Sequence, residues 1–511
     1  MPGESRTKKA LLNARVSMIC YFVGLVTTFF TRKIFIDYLG TEFIGLTGTL
    51  QSLLGFLNIA ELGVGTAIAY VLYEPLHQYN QDKIKEILSV LRFLYRCIGT
   101  FILVGGLVLS AFLPMIFENT GISMGVIFFG FYAYLASSLI GYYVNYNTTL
   151  LSADQKNYVV TGYYQIASSA KAIIQMVCAI YFTSFYLFLA IQLLFAGVNS
   201  IILQWKINKT YPWLSIKKLN GRKLLKNYPK IKTSIAQLTI HRIAGFVQFQ
   251  IMPFFVYAYV SLPMVTLYTN YTLISQRVMV FITGISNGLI AGIGDLIAEG
   301  NTEKIEKLYH ELLTSRIIVC GAISLILYFM LSPLVSVWLG SEYLVSEIVV
   351  SLIAIASFLS MVRSITDFFI NGFGLFYDVW APFTEIGIYV SVALLLGPKF
   401  GLNGLLLAPI VSLIIIIYGW KPYFLFKKGF KRPFLHYLRI FFPPFLPLLM
   451  AWLLTPWIVT PIISFAMMSS SWLWLILGGI LVTTVVCAIT FGTSLLFWPC
   501  MRSFFSRFLK R

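Results

Sequence analysis

The chain has 511 residues, of which 58% are hydrophobic and only 11% charged, with a mean hydropathy of +0.82. A soluble protein of this size could not hide so much apolar surface, and the repeated apolar runs, each long enough to cross about 30 Å of hydrocarbon, mark an all-α polytopic membrane protein. The net charge of +19 would suit nucleic acid, but most Lys and Arg lie in short loops between apolar runs, where the positive-inside rule accounts for them, so no nucleic-acid partner is expected.

The six cysteines, Cys20, Cys97, Cys178, Cys320, Cys487 and Cys500, lie within or at the ends of apolar segments. Their spacing suggests neither a zinc site nor a disulfide framework. Residues 1–15 are polar and basic, and the apolar run that follows is too long for a cleavable signal peptide.

In chain order, a first span runs over about 16–36, a link over Asp37–Glu42, and a second span over about 43–70. Gly45, Gly48, Ser52 and Gly55 recur along the second span at three- and four-residue spacing, which lets another backbone approach closely. It carries Glu61-Leu62-Gly63-Val64-Gly65-Thr66-Ala67. This Gly-x-Gly is not a nucleotide loop, because no strand precedes it and no third glycine follows at the right spacing. A polar segment, Tyr73–Arg96, leads to spans three to six at about 97–115, 122–151, 158–181 and 185–205. Spans seven and eight cover about 234–258 and 263–293. Spans nine to twelve cover about 317–337, 347–374, 381–397 and 402–420. Two more, about 440–462 and 472–498, precede a basic tail.

Between the sixth and seventh spans, Trp205–Lys232 holds nine Lys or Arg and no acid. It reads as a cytoplasmic connector, or more simply as a basic surface loop that fixes topology. The pattern Asn, any, acid, Lys, Ile, two charges, aliphatic occurs at Asn80–Ile87 and again at Asn301–Leu308, each after the second span of its half. This suggests a duplicated six-span unit in parallel orientation. The expected fold is therefore about fourteen transmembrane helices: two pseudo-symmetric six-helix bundles, residues 1–205 and 234–420, joined by the 206–233 connector. A region 421–511 adds a basic loop, two extra helices and the tail. An even span count places both termini in the cytoplasm.

There is no P-loop, no Gly-x-Ser-x-Gly elbow and no metal-binding His pair, and the outer loops are too short for an extramembrane active site, so transport rather than enzyme chemistry is expected. Charges inside spans are the informative residues, since each costs about 2.5–3.5 kcal/mol at a helix centre. Lys171, Arg242, Arg277 and Arg363 are candidate cavity cations. Asn145, Tyr146, Asn270 and Gln248 are candidate sugar contacts, and Glu61 and Asp367 candidate coupling acids. Asn270, Arg277 and Gly284 share a helix face, Gln237, His241 and Gln248 form a polar stripe, and Asn145–Thr149 crowd one end of span four. Simpler readings stand beside these. Arg363 and Asp367, at i and i+4, can neutralise each other. Glu385, one turn after Pro382, suits a helix N-terminus. His241 can be a packing residue, and Arg32 and Lys33 can snorkel to the outer headgroups.

The stretch from Asn13 through Arg32-Lys33 and Tyr38-Leu39-Gly40-Thr41-Glu42-Phe43-Ile44-Gly45-Leu46 to Glu61–Ala67 resembles the start of the polysaccharide-transport branch of the multidrug/oligosaccharidyl-lipid/polysaccharide exporter superfamily, the Wzx-type flippases. That resemblance implies a V-shaped pair of six-helix bundles in the cytoplasmic (inner) membrane. It also implies alternating-access transfer of undecaprenyl-pyrophosphate-linked oligosaccharide to the outer leaflet for O-antigen, capsule or exopolysaccharide assembly. Membrane lipids, a polysaccharide polymerase and chain-length machinery are the implied partners. No cofactor is implied beyond proton or sodium coupling. The cavity cations are not fixed motif positions in that family, so their assignment rests on this sequence alone. Guanidinium groups suit a pyrophosphate. A cation-coupled drug or metabolite antiporter of the same superfamily predicts unpaired cavity acids, of which only Glu61 is clear. An integral-membrane polymerase or glycosyltransferase predicts a long acidic outer loop, which is missing. A scaffold role has only the basic loops in its favour.

Overall fold

The computed structural model describes residues 6–61, 63–118, 120–215, 219–229, 250–286, 299–375, 380–469 and 471–497, with a few isolated positions between them. Every regular element among them is helical. The first half contains α1 (Arg6–Leu57), α2 (Val64–His77), α3 (Gln81–Ser110), α4 (Met124–Tyr143), α5 (Asn157–Phe182) and α6 (Phe185–Thr210). A short α7 (Gly221–Leu224) lies in the basic connector, and α8 (Leu262–Ser286) follows. The second half contains α9 (Thr302–Trp338), α10 (Glu347–Val362), α11 (Ser364–Gly372), α12 (Trp380–Ser412), α13 (Phe434–Phe441), α14 (Phe445–Ser469) and α15 (Trp472–Phe497).

Ten helical stretches among the described residues are long and apolar enough to cross a membrane. The two longest of them reach about two crossings, Arg15–Leu57 with 43 residues and Trp380–Phe430 with 51, since roughly 20 suffice for one. Each contains one glycine in the left-handed region, Gly40 at φ 83° and Gly401 at φ 54°, a conformation that costs other residues energy. The link expected over Asp37–Glu42 thus contracts to a break at Gly40.

Among the described residues, breaks fall inside the second, fourth and tenth expected spans. The second stops at Leu57, passes through a 3-10 turn at Asn58–Glu61 and resumes at Val64 after Gly63, which has φ 89°. The fourth ends at Tyr143 and continues through a 3-10 turn, Asn145–Asn147, into Thr148–Ala153. The tenth breaks at Arg363 between α10 and α11. Apolar periodicity cannot register these breaks, because the flanking residues remain hydrophobic.

The chain packs as two compact units, Met1–Thr266 and Leu267–Arg511, with the division inside α8. In the first unit the small residues of the second span behave as expected. A Cβ at Gly45 would overlap the Leu262 carbonyl, and one at Gly55 would overlap the Gln250 side chain. Next to this contact, Arg32 Nη2 donates to the Thr266 carbonyl at 3.1 Å and Thr266 Oγ1 donates to the Thr41 carbonyl at 2.6 Å. Arg32 therefore ties α1 to α8 and does not simply snorkel, while Lys33 pairs with Asp37 at 3.6 Å.

The connector is docked. Ser89 on α3 donates to the Leu219 carbonyl at 3.2 Å, and Gly221 sits so close to the Ser89 carbonyl that no methyl would fit. The Tyr228 hydroxyl donates to Glu86 Oε2 at 2.8 Å. Burial and the Glu86 carboxylate push the Tyr228 pKa up to about 12, so it is a donor at neutral pH. Upstream, Tyr211 donates to Asp154 at 2.8 Å, with Lys156 on the same carboxylate at 2.7 Å.

The repeated octapeptides share one local structure. Asn80 and Asn301 are N-caps, each accepting from the backbone N–H three residues on, Lys83 and Lys304, at 3.0 Å. Asn at an N-cap followed by an acid is a general way to start a helix. The two segments are therefore alike as helix starts, which other helices can share without duplication. The second unit is centred on Tyr309, Phe369, Phe426 and Phe430, whose rings meet at centroid distances of 5.0 to 6.2 Å.

The Gly45 contact is testable. Gly45→Val is expected to destabilise the purified chain by about 1–3 kcal/mol, the usual range for overpacking, and to lower its melting temperature. Gly197→Ala, where an added Cβ meets nothing within 4 Å, is expected to leave it unchanged.

Candidate functional site

Two features of the first unit concentrate polar groups within apolar helices. The first is a cavity of roughly 310 Å3 among α4, α5, α6 and the Asn145–Asn147 turn. Ser137, Ser138, Asn145, Tyr164, Ser168, Lys171, Gln192 and Asn199 border it. Lys171 is half-buried on α5, and its Nζ donates to Gln192 Oε1 on α6 at 2.7 Å. An ammonium has three donors, so two remain for the cavity. Asn145 Oδ1 accepts from Ser200 at 2.6 Å, which fixes the broken end of the fourth span against α6.

The second feature is the break that carries Glu61. Its Oε1 accepts from the Tyr95 hydroxyl at 2.9 Å. Its Oε2 lies 2.7 Å from the Tyr142 hydroxyl, which is also 3.1 Å from Asn58 Oδ1 and shares its proton between them. Ser138 donates to the same Asn58 oxygen at 3.3 Å. Ser138 borders the cavity, so a continuous polar chain, Ser138–Asn58–Tyr142–Glu61–Tyr95, runs from the cavity wall to the carboxylate. These bonds run from side chain to side chain and give the polar side chains of the break partners within the protein.

The other expected residues fall elsewhere. Tyr146 is half-buried next to Asn145 but does not border the cavity. Arg277 is half-buried and Asn270 fully buried, both on α8 in the second unit, and each is engaged with neighbouring groups. The backbone at Gly284 is helical. Gln237, His241, Arg242 and Gln248 lie outside the described residues.

Arg363 and Asp367 belong to an ion cluster at the break of the tenth span. Arg363 Nε is 3.7 Å from Asp367, and its Nη1 is 3.6 Å from Glu385. Lys421 pairs with the other Asp367 oxygen. Two cations and two anions thus close on one another, the neutralising alternative for Arg363 and Asp367. Glu385 acts through Arg363. Sequence reasoning passed over Arg316, which it placed at a span edge. Arg316 lies inside α9, and its Nε donates to the Met361 carbonyl at 2.9 Å and its Nη2 to Ser364 at 3.1 Å. It thereby satisfies a carbonyl exposed by the same break. Sequence reasoning also missed Gln192 and Asn199, both on α6; a polar amide repeating at i and i+7 in an apolar helix was the available signal.

No protein-family model matches the sequence, nor does any curated protein. Solved structures do. The chain is similar to "Lipid II flippase MurJ, inward closed conformation", with a TM-score of 0.64 and 14% identity, over 95% of this chain and 100% of that one. It is similar to an inward-facing multidrug resistance MATE family transporter of the MOP superfamily, with a TM-score of 0.55 and 15% identity, over 82% of this chain and 99% of that one. A Vibrio cholerae MATE transporter aligns with a TM-score of 0.50 and 13% identity, over 83% and 99%. At these identities the likeness shows the fold: an all-helical, multi-pass membrane architecture that these transporters share and none of them builds as an enzyme.

The ion cluster makes a specific prediction. Arg363→Ala removes the cation 3.6 Å from Glu385, which is only 2% exposed. A loss of about 3 kcal/mol is expected, the lower end of the range for breaking a buried pair, seen as a lower melting temperature and reduced abundance in membranes. Arg363→Ala combined with Glu385→Gln restores charge balance and should recover most of the loss. A double variant no more stable than the single would show that pairing is not what Arg363 contributes.

Proposed function

We propose that this chain is a flippase. It would carry undecaprenyl-pyrophosphate-linked oligosaccharide from the cytoplasmic to the outer leaflet for surface polysaccharide assembly, by alternating access of two six-helix bundles within about fourteen spans. The observation that carries this reading is a polar, lysine-bearing cavity inside a fold shared with a lipid II flippase over nearly the whole chain. The Wzx-like first spans add the glycan class. Arg277 and Arg242 are assigned to the pyrophosphate, whose oxygens match a planar guanidinium fork. Asn145 and its neighbours around the cavity face the sugars. Glu61 is assigned to proton or sodium coupling, because the polar chain through Tyr142 and Asn58 links it to the cavity wall, where cargo would be felt. Partners would be the lipid-linked glycan itself, membrane lipids, and the polymerase and chain-length machinery that take over the product.

A second reading, a cation-coupled antiporter for drugs or metabolites, draws on the likeness to MATE transporters and on Glu61. It predicts uptake or efflux of an organic cation that depends on an ion gradient, and no requirement for a lipid-linked substrate.

Proteoliposomes loaded with fluorescent lipid-linked oligosaccharide test the proposal. Wild-type protein should move the lipid to the outer leaflet. Arg277→Ala should lose most of the activity at normal abundance, and Arg277→Lys should keep part of it, since lysine retains the charge without the fork. Glu61→Gln preserves the acceptor for Tyr95 but not the charge, and should abolish the response to an imposed ion gradient. No movement by wild type, combined with gradient-driven export of an organic cation, would favour the antiporter. For topology, Asn220→Cys in the exposed connector should resist a membrane-impermeant thiol reagent applied to intact cells; ready labelling would overturn the cytoplasmic placement.

A further inference from the structure

The cavity of the first unit is unusual in which hydrogen-bonding groups it leaves unused. The Ser137 hydroxyl donates its proton to the Ala133 carbonyl at 2.7 Å, and Ser138 donates to Asn58. Both serines therefore turn only lone pairs towards a ligand. Asn199 Oδ1 is buried and meets no donor among the described residues. The serines and Asn199 Oδ1 thus offer acceptors, the amide groups of Asn145, Gln192 and Asn199 offer N–H donors, and one cation borders the cavity among the described residues, the Lys171 ammonium, held by Gln192 with two donors to spare.

A pyrophosphate does not suit this wall. It brings two or more negative charges and no donor, so it would leave the serine and Asn199 acceptors unmet and set its charge against a single cation. A neutral sugar supplies hydroxyl donors but leaves Lys171 unmatched. A sugar carboxylate supplies both, with hydroxyls for Ser137, Ser138 and Asn199 and one carboxylate for one ammonium, a charge-assisted pair stronger than a neutral hydrogen bond. At roughly 310 Å3 the space is at the lower end for a small-molecule site, which suits one ring better than a chain. We propose that this cavity is a subsite for one carboxylated, polyhydroxylated sugar ring, so that the transported glycan contains an acidic sugar. As a statement about cargo this rests on the flippase reading; as a statement about binding it does not.

The test uses the purified full chain in nanodiscs and three probes: D-glucuronate, D-glucose and inorganic pyrophosphate. Binding is followed by calorimetry, and each variant's unliganded melting temperature checks its fold. Glucuronate should bind about tenfold more tightly than glucose, the scale of one charge-assisted contact, and pyrophosphate should not displace it. Lys171→Met should bring the ratio close to one. Asn199→Leu, which leaves the lysine in place, should weaken both sugars together and covers the case in which Lys171→Met fails to fold. A ratio unchanged in folded Lys171→Met, or pyrophosphate competing with glucuronate for wild type, would overturn the subsite.

Transport by wild type separates the two ideas. Lys171-dependent glucuronate binding without any movement of lipid-linked glycan would leave the subsite standing for a free sugar acid and remove the flippase reading. Movement of neutral lipid-linked glycan without any glucuronate binding would remove the subsite alone. Faster movement of an acidic than of a neutral lipid-linked glycan would support both.

Discussion

Hydrocarbon supplies no hydrogen bonds, so every polar group inside this protein must be met by another part of the protein or by water. That constraint explains why polar side chains gather at the breaks in the second, fourth and tenth spans. The break at Asn58–Gly63 carries Glu61 and is closed by Tyr95 and Tyr142. The break at Asn145 is pinned by Ser200. The break at Arg363 is surrounded by Asp367, Glu385, Lys421 and Arg316. At each of these breaks polar side chains find partners of their own, and at Arg363 the Arg316 side chain also meets the Met361 carbonyl.

The breaks nevertheless differ in kind. At Arg363 the carboxylates of Asp367 and Glu385 are each met by a cation. At Glu61 two tyrosine hydroxyls satisfy the carboxylate, and no cation joins them among the ion pairs between described residues. The carboxylate in the first unit is thus held by neutral hydroxyl donors, and those in the second by opposite charges.

Much of the architecture could be read from the amino-acid string. Apolar runs located the membrane helices, the Gly45–Gly55 spacing identified a close helix contact, and the i, i+4 spacing of Arg363 and Asp367 foresaw their pairing. Lys171 and Asn145 were singled out separately and the structure brings them to one cavity. The breaks were not visible, because hydropathy averages over a window wider than a single turn and Leu57, Val64 and Tyr143 look like any span residues. The partners of Glu61 were missed for another reason. Tyr95 and Tyr142 are distant in sequence and ordinary in composition, and only the packing of α3 and α4 brings them to the same carboxylate. Arg32 shows the converse: its position near the outer face was evident, but its bond to Thr266 depends on a contact 234 residues away.

Docking of the connector also changes what it can do as a polymer. As a free flexible chain, the 28 residues of Trp205–Lys232 would have a root-mean-square span of roughly 30 Å. Instead the segment is fastened at Tyr211, at Leu219 with Gly221, and at Tyr228. Its conformational entropy is already spent, and it adds charge at the membrane surface but little slack. Lengthening it upstream of Tyr228 would enlarge a surface loop without extending the tether, so the stretch behaves as part of the first unit and not as a leash.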